Sequence, residues 1–251
     1  VLNESTRIPI DTFSMATSSI TVYEWGRGVE HTNLAKELSK FDLENPIQKA
    51  LKNQLTVYTD IAAGTALATA YVKAIPTAAS TITWDTDGTA STSATVNLNA
   101  ALCGVIRDYM RDTLVVPWYE KSNYMGIAST KALRGIKSDG DFQAWRQYLA
   151  PQEVLYNSEV GMIEQIKFVE SNNTSILSNA KGTSSVLGEA FIFGDDALAL
   201  VEAQTPEIRM AIPGDFGRFQ AAAWYGILNF GLPWSATATA GEVKVVHLTS
   251  S

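Results

Sequence analysis

Apolar residues recur along this chain with two different periods, and the change of period marks its elements. Residues 20–32, ITVYEWGRGVEHT, alternate in part, with Ile20, Val22 and Glu24 on one side and Thr21, Tyr23 and Trp25 on the other. That pattern predicts a strand with a bend marked by Gly26 and Gly28. The period then becomes helical: Ile47, Leu51, Leu55, Tyr58, Ile61 and Ala62 share one face. Asn45 is placed to cap this helix, and Pro46 suits its first helical position. The pattern continues through the alanine-rich AAGTALATAY to about Tyr71, a rod of roughly 39 Å. A globular helix averages about 11–12 residues, so this one is overlong. Gly64 weakens it locally, since a mid-helix glycine costs up to about 1 kcal/mol relative to alanine. Small Ala62, Ala63, Ala66 and Ala68 would let another backbone approach closely.

Residues 76–96, PTAASTITWDTDGTASTSATV, change character to Ser, Thr and Ala around an Asp87-Gly88 turn. They read as an exposed β-hairpin or connector between two structural units. A second helix follows in NLNAALCGVIRDYMRDTL, with Leu102, Val105, Ile106, Tyr109 and Met110 as its apolar stripe. NYMGIA, residues 123–128, reads as a buried strand. A third helix is expected within 131–149, split by Gly135 and Gly140. Met162–Ile163 and Ile166–Val169 read as short strands around a tight Glu164-Gln165 turn, and EAFIF (189–193) as another strand. Residues 174–188, TSILSNAKGTSSVLG, read as a flexible loop. IRMAI (208–212) and FQAAAWYGILNF (219–230) form a strand pair around PGDFG, and EVKVVHL (242–248) alternates cleanly as a last strand.

This order is neither a repeating βαβ pattern nor an all-β one, so the expected class is α+β. With 251 residues, 46 % hydrophobic and 18 % charged, the chain is globular and long enough for a sizeable core. Its longest apolar runs fall short of the roughly 18 residues needed to span a bilayer. The opening VLNESTRIP lacks Met and a leader pattern, which fits processing or excision from a longer precursor. A net charge of −7 without a basic run argues against a dedicated nucleic-acid binder, though not against a protein that surrounds nucleic acid. Cys103 is the one cysteine, so no internal disulfide or cysteine zinc site forms, and a reducing cytoplasm fits best. The glycosylation triplets at Asn3, Asn172 and Asn173 read as chance matches.

Candidate chemistry is thin. His31 and His247 are the two histidines, and they form no metal-spaced pair; each reads as an ordinary strand residue rather than a catalytic base. Ser178-Asn179-Ala180-Lys181 matches SxxK, but the partner motifs SDN and KTG are absent. Gly26-Arg27-Gly28 lacks the third glycine of a dinucleotide loop. Asp85-Thr86-Asp87-Gly88 resembles half a calcium loop, yet Val96 stands where the bidentate glutamate belongs. Asp195-Asp196 after Gly194 reads as a helix cap. Trp84, Trp118, Trp145, Trp224 and Trp234 read as core or interface anchors. No catalytic, cofactor or metal residue is assigned, and the expectation is that the protein is not an enzyme.

Two stretches carry a family resemblance. YEWGRGVEHTNLA (23–35) precedes the long helix, and WRQYLAPQEVLYNSEVGMIEQIKFVESNN (145–173) joins an Ala-Trp-Arg segment to a Tyr-bearing link, EVG and FVES. Together they resemble major capsid proteins of tailed bacteriophages, in the branch related to the capsid of the coliphage called N-four. LNESTRIP is similar to the segment that follows the extended E-loop in these proteins. The resemblance implies the HK-97-type fold, with a long spine helix, peripheral β-strands and an axial α/β domain. Residues 1–75 would be the first part of the peripheral domain, with the spine helix at about 45–71. Residues 76–96 would be the connector, 97–205 the axial domain and 206–234 the second peripheral part. Residues 235–251 would return a strand to the axial sheet. PGDFG (213–217) would be the peripheral loop, with Asp215, Phe216 and Arg218 as intersubunit contacts. Trp145, Tyr148 and Tyr156 would be packing anchors, and Glu153, Glu159 and Glu164 solvated or interfacial charges.

The implied function is self-assembly into hexamers and pentamers that close an icosahedral shell around a double-stranded DNA genome, without sequence-specific binding and without membrane contact. The location would be the virion, assembled in the bacterial cytoplasm. Decoration, scaffold and portal proteins are compatible further partners. The alternatives are an encapsulin-like nanocompartment, a hydrolase using Ser178 and Lys181, and a binding module built on the Ser/Thr-rich hairpin. Most of the family's N-terminal arm and E-loop is not within these residues; either they precede residue 1 or neighbours are clasped otherwise.

Overall fold

The computed structural model describes residues 19–40, 43–140, 159–233 and 242–251. Two sheets and one long helix organise them. Strand β1 (Tyr23–Thr32) leads through the short helix α1 (Asn33–Leu38), which Thr32 caps by accepting the Ala35 amide, into α2 (Glu44–Ala68). The expected spine helix is therefore present, with shifted ends. It starts one residue before Asn45, and Pro46 falls in the first turn, where a missing N–H costs nothing. It stops at Ala68 rather than Tyr71, where the Thr69 and Ala70 amides donate to the Ala66 and Leu67 carbonyls in a tighter final turn.

The smaller sheet has the order β1-β9-β8, all antiparallel, where β8 is Ala199–Met210 and β9 is Phe219–Gly231. The first two-thirds of α2 lies across one of its faces. Leu51, Ala222 and Trp224 are buried there, flanked by Trp25, Ile47, Leu55 and Tyr58. Each fully buried large apolar side chain contributes about 1.5–3 kcal/mol. Polar ends are satisfied at the same contact: Arg27 donates to Tyr58 Oη at 2.7 Å, and Trp25 Nε1 donates to the Leu228 carbonyl at 3.0 Å. β8 is longer than the expected IRMAI strand and runs across residues 205 and 206. The expected boundary between the axial part and the second peripheral part thus cuts a continuous strand.

The larger sheet has seven strands in the order β3-β2-β10-β7-β4-β6-β5. These are β2 (Val72–Ala78), β3 (Thr81–Asp85), β4 (Tyr124–Ser129), β5 (Glu159–Ile163), β6 (Ile166–Ser171), β7 (Ala190–Phe193) and β10 (Val245–Leu248). β2 with β10 and β4 with β6 are parallel; the other neighbours are antiparallel. One face carries the main core, with α3 (Ala100–Asp108) and α4 (Thr130–Lys137) packed on it through Leu102, Ile106, Leu133 and Ile136. The other face meets the end of α2 through Leu67, Ala70, Leu177, Phe191 and Val245. So α2 spans both sheets, which explains its length.

Three expectations change. Residues 76–96 are not an exposed connector, because Ile82 and Ala94 are buried in the main core. The hairpin turns at Ala79-Ser80. Asp87-Gly88 lies beyond it, where Gly88 adopts φ +87° and its amide donates to the Tyr71 carbonyl. Gly135 does not split the third helix; it sits inside α4, where a Cβ would lie 2.4 Å from the Leu98 carbonyl oxygen. The remainder of that expected helix, residues 141–149, lies outside the described residues. The 174–188 segment is packed rather than flexible: Leu177 and Leu187 are buried, and Lys181 and Leu187 exchange backbone hydrogen bonds.

Candidate functional site

The tip between β8 and β9 is the first candidate. The chain turns there through Asp215–Gly217, with left-handed φ angles of +48° at Asp215, +54° at Phe216 and +92° at Gly217. A bulky residue in that region costs about 1–3 kcal/mol. The turn presents the Phe216 ring to solvent (108 % exposed), next to Ile212 (94 %). Arg218 Nη1 lies 3.5 Å from Asp215 Oδ2, and its guanidinium stacks 5.7 Å from the Phe219 ring centre. The Asn33 amide donates to the Arg218 carbonyl at 2.8 Å, which brings α1 and its exposed Leu34 and Leu38 to the same end of the sheet. The structure thus places Asp215, Phe216 and Arg218 together and adds apolar neighbours that the sequence did not single out. Exposed apolar side chains gathered at one end of a sheet are the kind of surface that serves interaction.

The second candidate is a buried polar chain that sequence reasoning missed. Lys73 on β2 donates its ammonium to the Ala68 carbonyl at 2.7 Å and lies 3.1 Å from His247 Nδ1 on β10. His247 Nε2 is 3.5 Å from Glu189 Oε1. That carboxylate also accepts from Thr249 Oγ1 at 2.5 Å and from the Ser178 amide at 2.7 Å. Burial alone would raise the Glu189 pKa, but the facing His247 ring and the hydrogen bonds from Thr249 and the Ser178 amide outweigh it and hold it at about 2. Burial lowers the pKa of Lys73, against the pull of Glu189. The available signal was one polar residue inside each of the runs VKAIP, EAFIF and VVHL.

The other expected chemistry is dispersed. Ser178 Oγ accepts the Ala180 amide and Lys181 Nζ lies 3.9 Å from Glu189, so both serve the loop's own fold. His31 is the penultimate residue of β1, opposite Gln220, with ring nitrogens that are buried and meet no partner among the described residues. Asp85 accepts from Ser91, as a turn clasp would. Asp195 and Asp196 cap no helix; they lie in the turn before β8. Glu164 occupies the β5–β6 turn at φ +47° and pairs with Arg107 at 3.2 Å, a solvated charge as expected. Trp145, Tyr148, Glu153, Tyr156 and Trp234 lie outside the described residues, as does the side chain of Glu159. A cavity of about 400 Å³ opens between α2 and β7. Of its carboxylates, Asp60 accepts from Asn173 and Asp196 pairs with Lys244. No cluster of three or more His, Cys, Asp or Glu that could hold a metal occurs among the described residues.

No family model matches the chain, and no curated protein matches it. Solved structures do. The head of Helicobacter pylori bacteriophage KHP40 superposes with a TM-score of 0.67 at 12 % identity, covering 92 % of this chain and 75 % of that one. The capsid of cyanophage Pam1 gives a TM-score of 0.64 at 14 % identity, covering 99 % and 81 %. The SrpI encapsulin of Synechococcus elongatus gives 0.53 at 10 % identity, covering 91 % and 73 %. At such identities the likeness is one of fold: two sheets bridged by one long helix, in the arrangement of the HK-97-type α+β proteins that build phage heads.

Proposed function

We propose that this chain is the major capsid protein of a tailed bacteriophage. The observation that carries the reading is the superposition on phage head proteins over nearly the whole described chain. Identical subunits would close into hexamers and pentamers through heterologous contacts, which form rings when the rotation closes. Those capsomers would tile an icosahedral shell in the virion, assembled in the bacterial cytoplasm. Many weak contacts, repeated, would hold it together. Double-stranded DNA would be confined rather than gripped, in keeping with the net charge of −7. The role is structural, with no catalytic step. Decoration, scaffold and portal proteins fit as additional partners. The finer kinship with the N-four branch rests on the stretches 23–35 and 145–173.

In this reading the three-stranded sheet and the first part of α2 are the peripheral domain. The seven-stranded sheet with α3 and α4 is the axial domain, and β10 returns to it. Asp215, Phe216 and Arg218 make intersubunit contacts at the peripheral tip. The support for them is their shared exposure and the strained backbone that presents the Phe216 ring.

The encapsulin superposition favours a second reading, a nanocompartment around protein cargo. Negative-stain electron microscopy of the purified full-length protein tests both. Uniform closed shells support the shell reading, with nucleic acid inside pointing to a phage head and enclosed protein to a nanocompartment. A persistent monomer at high concentration, with every upstream segment present, overturns it.

A further inference from the structure

β10 is the last strand of the chain, and it joins two groups of strands. β3-β2 lies on one side and β7-β4-β6-β5 on the other, and among the described residues no other strand bridges them. Three of its four residues are apolar; His247 is the polar one. In the observed register His247 stands beside Lys73 on β2 and opposite Phe191 on β7. Val246 and Leu248 face the main core, and Val245 faces the smaller cluster beside α2. A slip of one residue would carry His247 into the main core.

With Lys73 charged, the hydrogen-bond chemistry of this chain favours one protonation state of His247. A lysine ammonium has only donors, so His247 Nδ1, 3.1 Å from Lys73 Nζ, must accept. The ring proton is then on Nε2, the nitrogen facing Glu189. A second proton on Nδ1 would set two donors against each other with no acceptor between them. The Phe191 ring, 4.6 Å away, helps keep the site closed to water. The charged groups facing His247 are Lys73 from β2, Glu189 at the entry to β7, and Lys181 from the 178–188 loop. Two cations and one anion leave no net attraction for a third positive charge.

We propose that the Lys73–His247–Glu189 chain is a proton-operated latch: neutral His247 locks β10 in register between β2 and β7, and protonation frees Lys73 and loosens the strand. This follows from the folded chain alone and does not depend on the shell reading. Burial pushes the His247 pKa down, Glu189 opposes that, and Lys73 adds to the lowering. The sign follows. A folded value below the ordinary 6.5 means the latch's stability is present above 6.5 and is lost as pH falls towards the lower folded value.

The test is amide hydrogen exchange of the full-length protein, corrected for intrinsic rates, between about pH 7.5 and pH 5, which brackets the ordinary histidine range. β9 serves as the internal reference for general acid loosening. The opening equilibrium of Val245–Leu248 should rise severalfold relative to β9. His247→Gln should abolish that step, because its amide offers an acceptor to Lys73 and a donor to Glu189 at every pH. A wild-type β10 whose protection tracks β9, or a His247→Gln protein that keeps the step, overturns the proposal. If the variant does not fold, imidazole NMR of the wild-type protein decides, with His31→Gln to assign the second ring. A His247 midpoint below 6.5 supports the latch, and one at or above it overturns the latch.

Discussion

Gly64 lies directly beneath Ile176: a Cβ built on it would sit 2.1 Å from Ile176 Cγ2. This contact seats the end of α2 on the segment that follows β6. Replacing Gly64 by alanine would improve helix propensity by up to about 1 kcal/mol. It would also force Ile176 away, and overpacking of that kind costs typically 1–3 kcal/mol. Both branches of Ile176 are in the way, so the steric cost should win. Thermal denaturation should show Gly64→Ala destabilised and Gly64→Ala with Ile176→Ala partly restored. A single variant more stable than wild type would contradict this account.

The strained tip makes a prediction of opposite signs. Phe216→Gly removes a left-handed bulky residue, so the isolated subunit should gain on the order of 1 kcal/mol. The same change deletes a fully exposed ring, so under the proposed function assembly should weaken. Calorimetry of the subunit and light scattering of the assembly reaction read the two effects separately. Arg218→Glu should leave subunit stability within about 0.5 kcal/mol, as surface changes usually do, and slow assembly.

Glu189 governs the acid limb. Its folded pKa of about 2 lies below the ordinary 4.5, so its contribution is present above 4.5 and is lost as pH falls through that value towards 2. Glu189→Gln should therefore lower stability at neutral pH and flatten the stability curve between those two values. Chemical denaturation repeated across that range checks it; an unchanged slope would assign the acid limb to other carboxylates.

Cys103 is fully buried in the main core, and burial, then Glu164 and Asp139, pushes its thiol pKa far up. The thiolate is the reactive form. Native protein should resist iodoacetamide at neutral pH, and labelling should follow global opening as denaturant is added. Rapid labelling without denaturant would mean that α3 opens on its own.

Much of the fold was legible from residues close together in sequence. The spine helix followed from Ile47, Leu51, Leu55 and Tyr58, because a helix period of about 3.6 residues is set by local backbone geometry. Strands β1, β4, β9 and β10 were visible for the same reason, since alternation is a property of one strand alone. The exposed tip at PGDFG was legible too, with Asp215, Phe216 and Arg218 in place around it.

What the tertiary structure decided was partnership. EVKVVHL alternates, but nothing local says that β10 fills the gap between β2 and β7. Residues 76–96 read as solvated because they are rich in Ser and Thr, yet Ile82 and Ala94 meet a core supplied by distant segments. Gly135 read as a break because propensity is a weak prior, whereas its close approach to Leu98 makes the missing side chain a packing requirement. The polar chain was hidden for the same reason. Lys73 and His247 lie 174 positions apart, and each alone is an ordinary polar residue in an apolar run. They become one hydrogen-bonded unit only when long-range strand pairing brings them together and burial removes the water that would otherwise serve each of them.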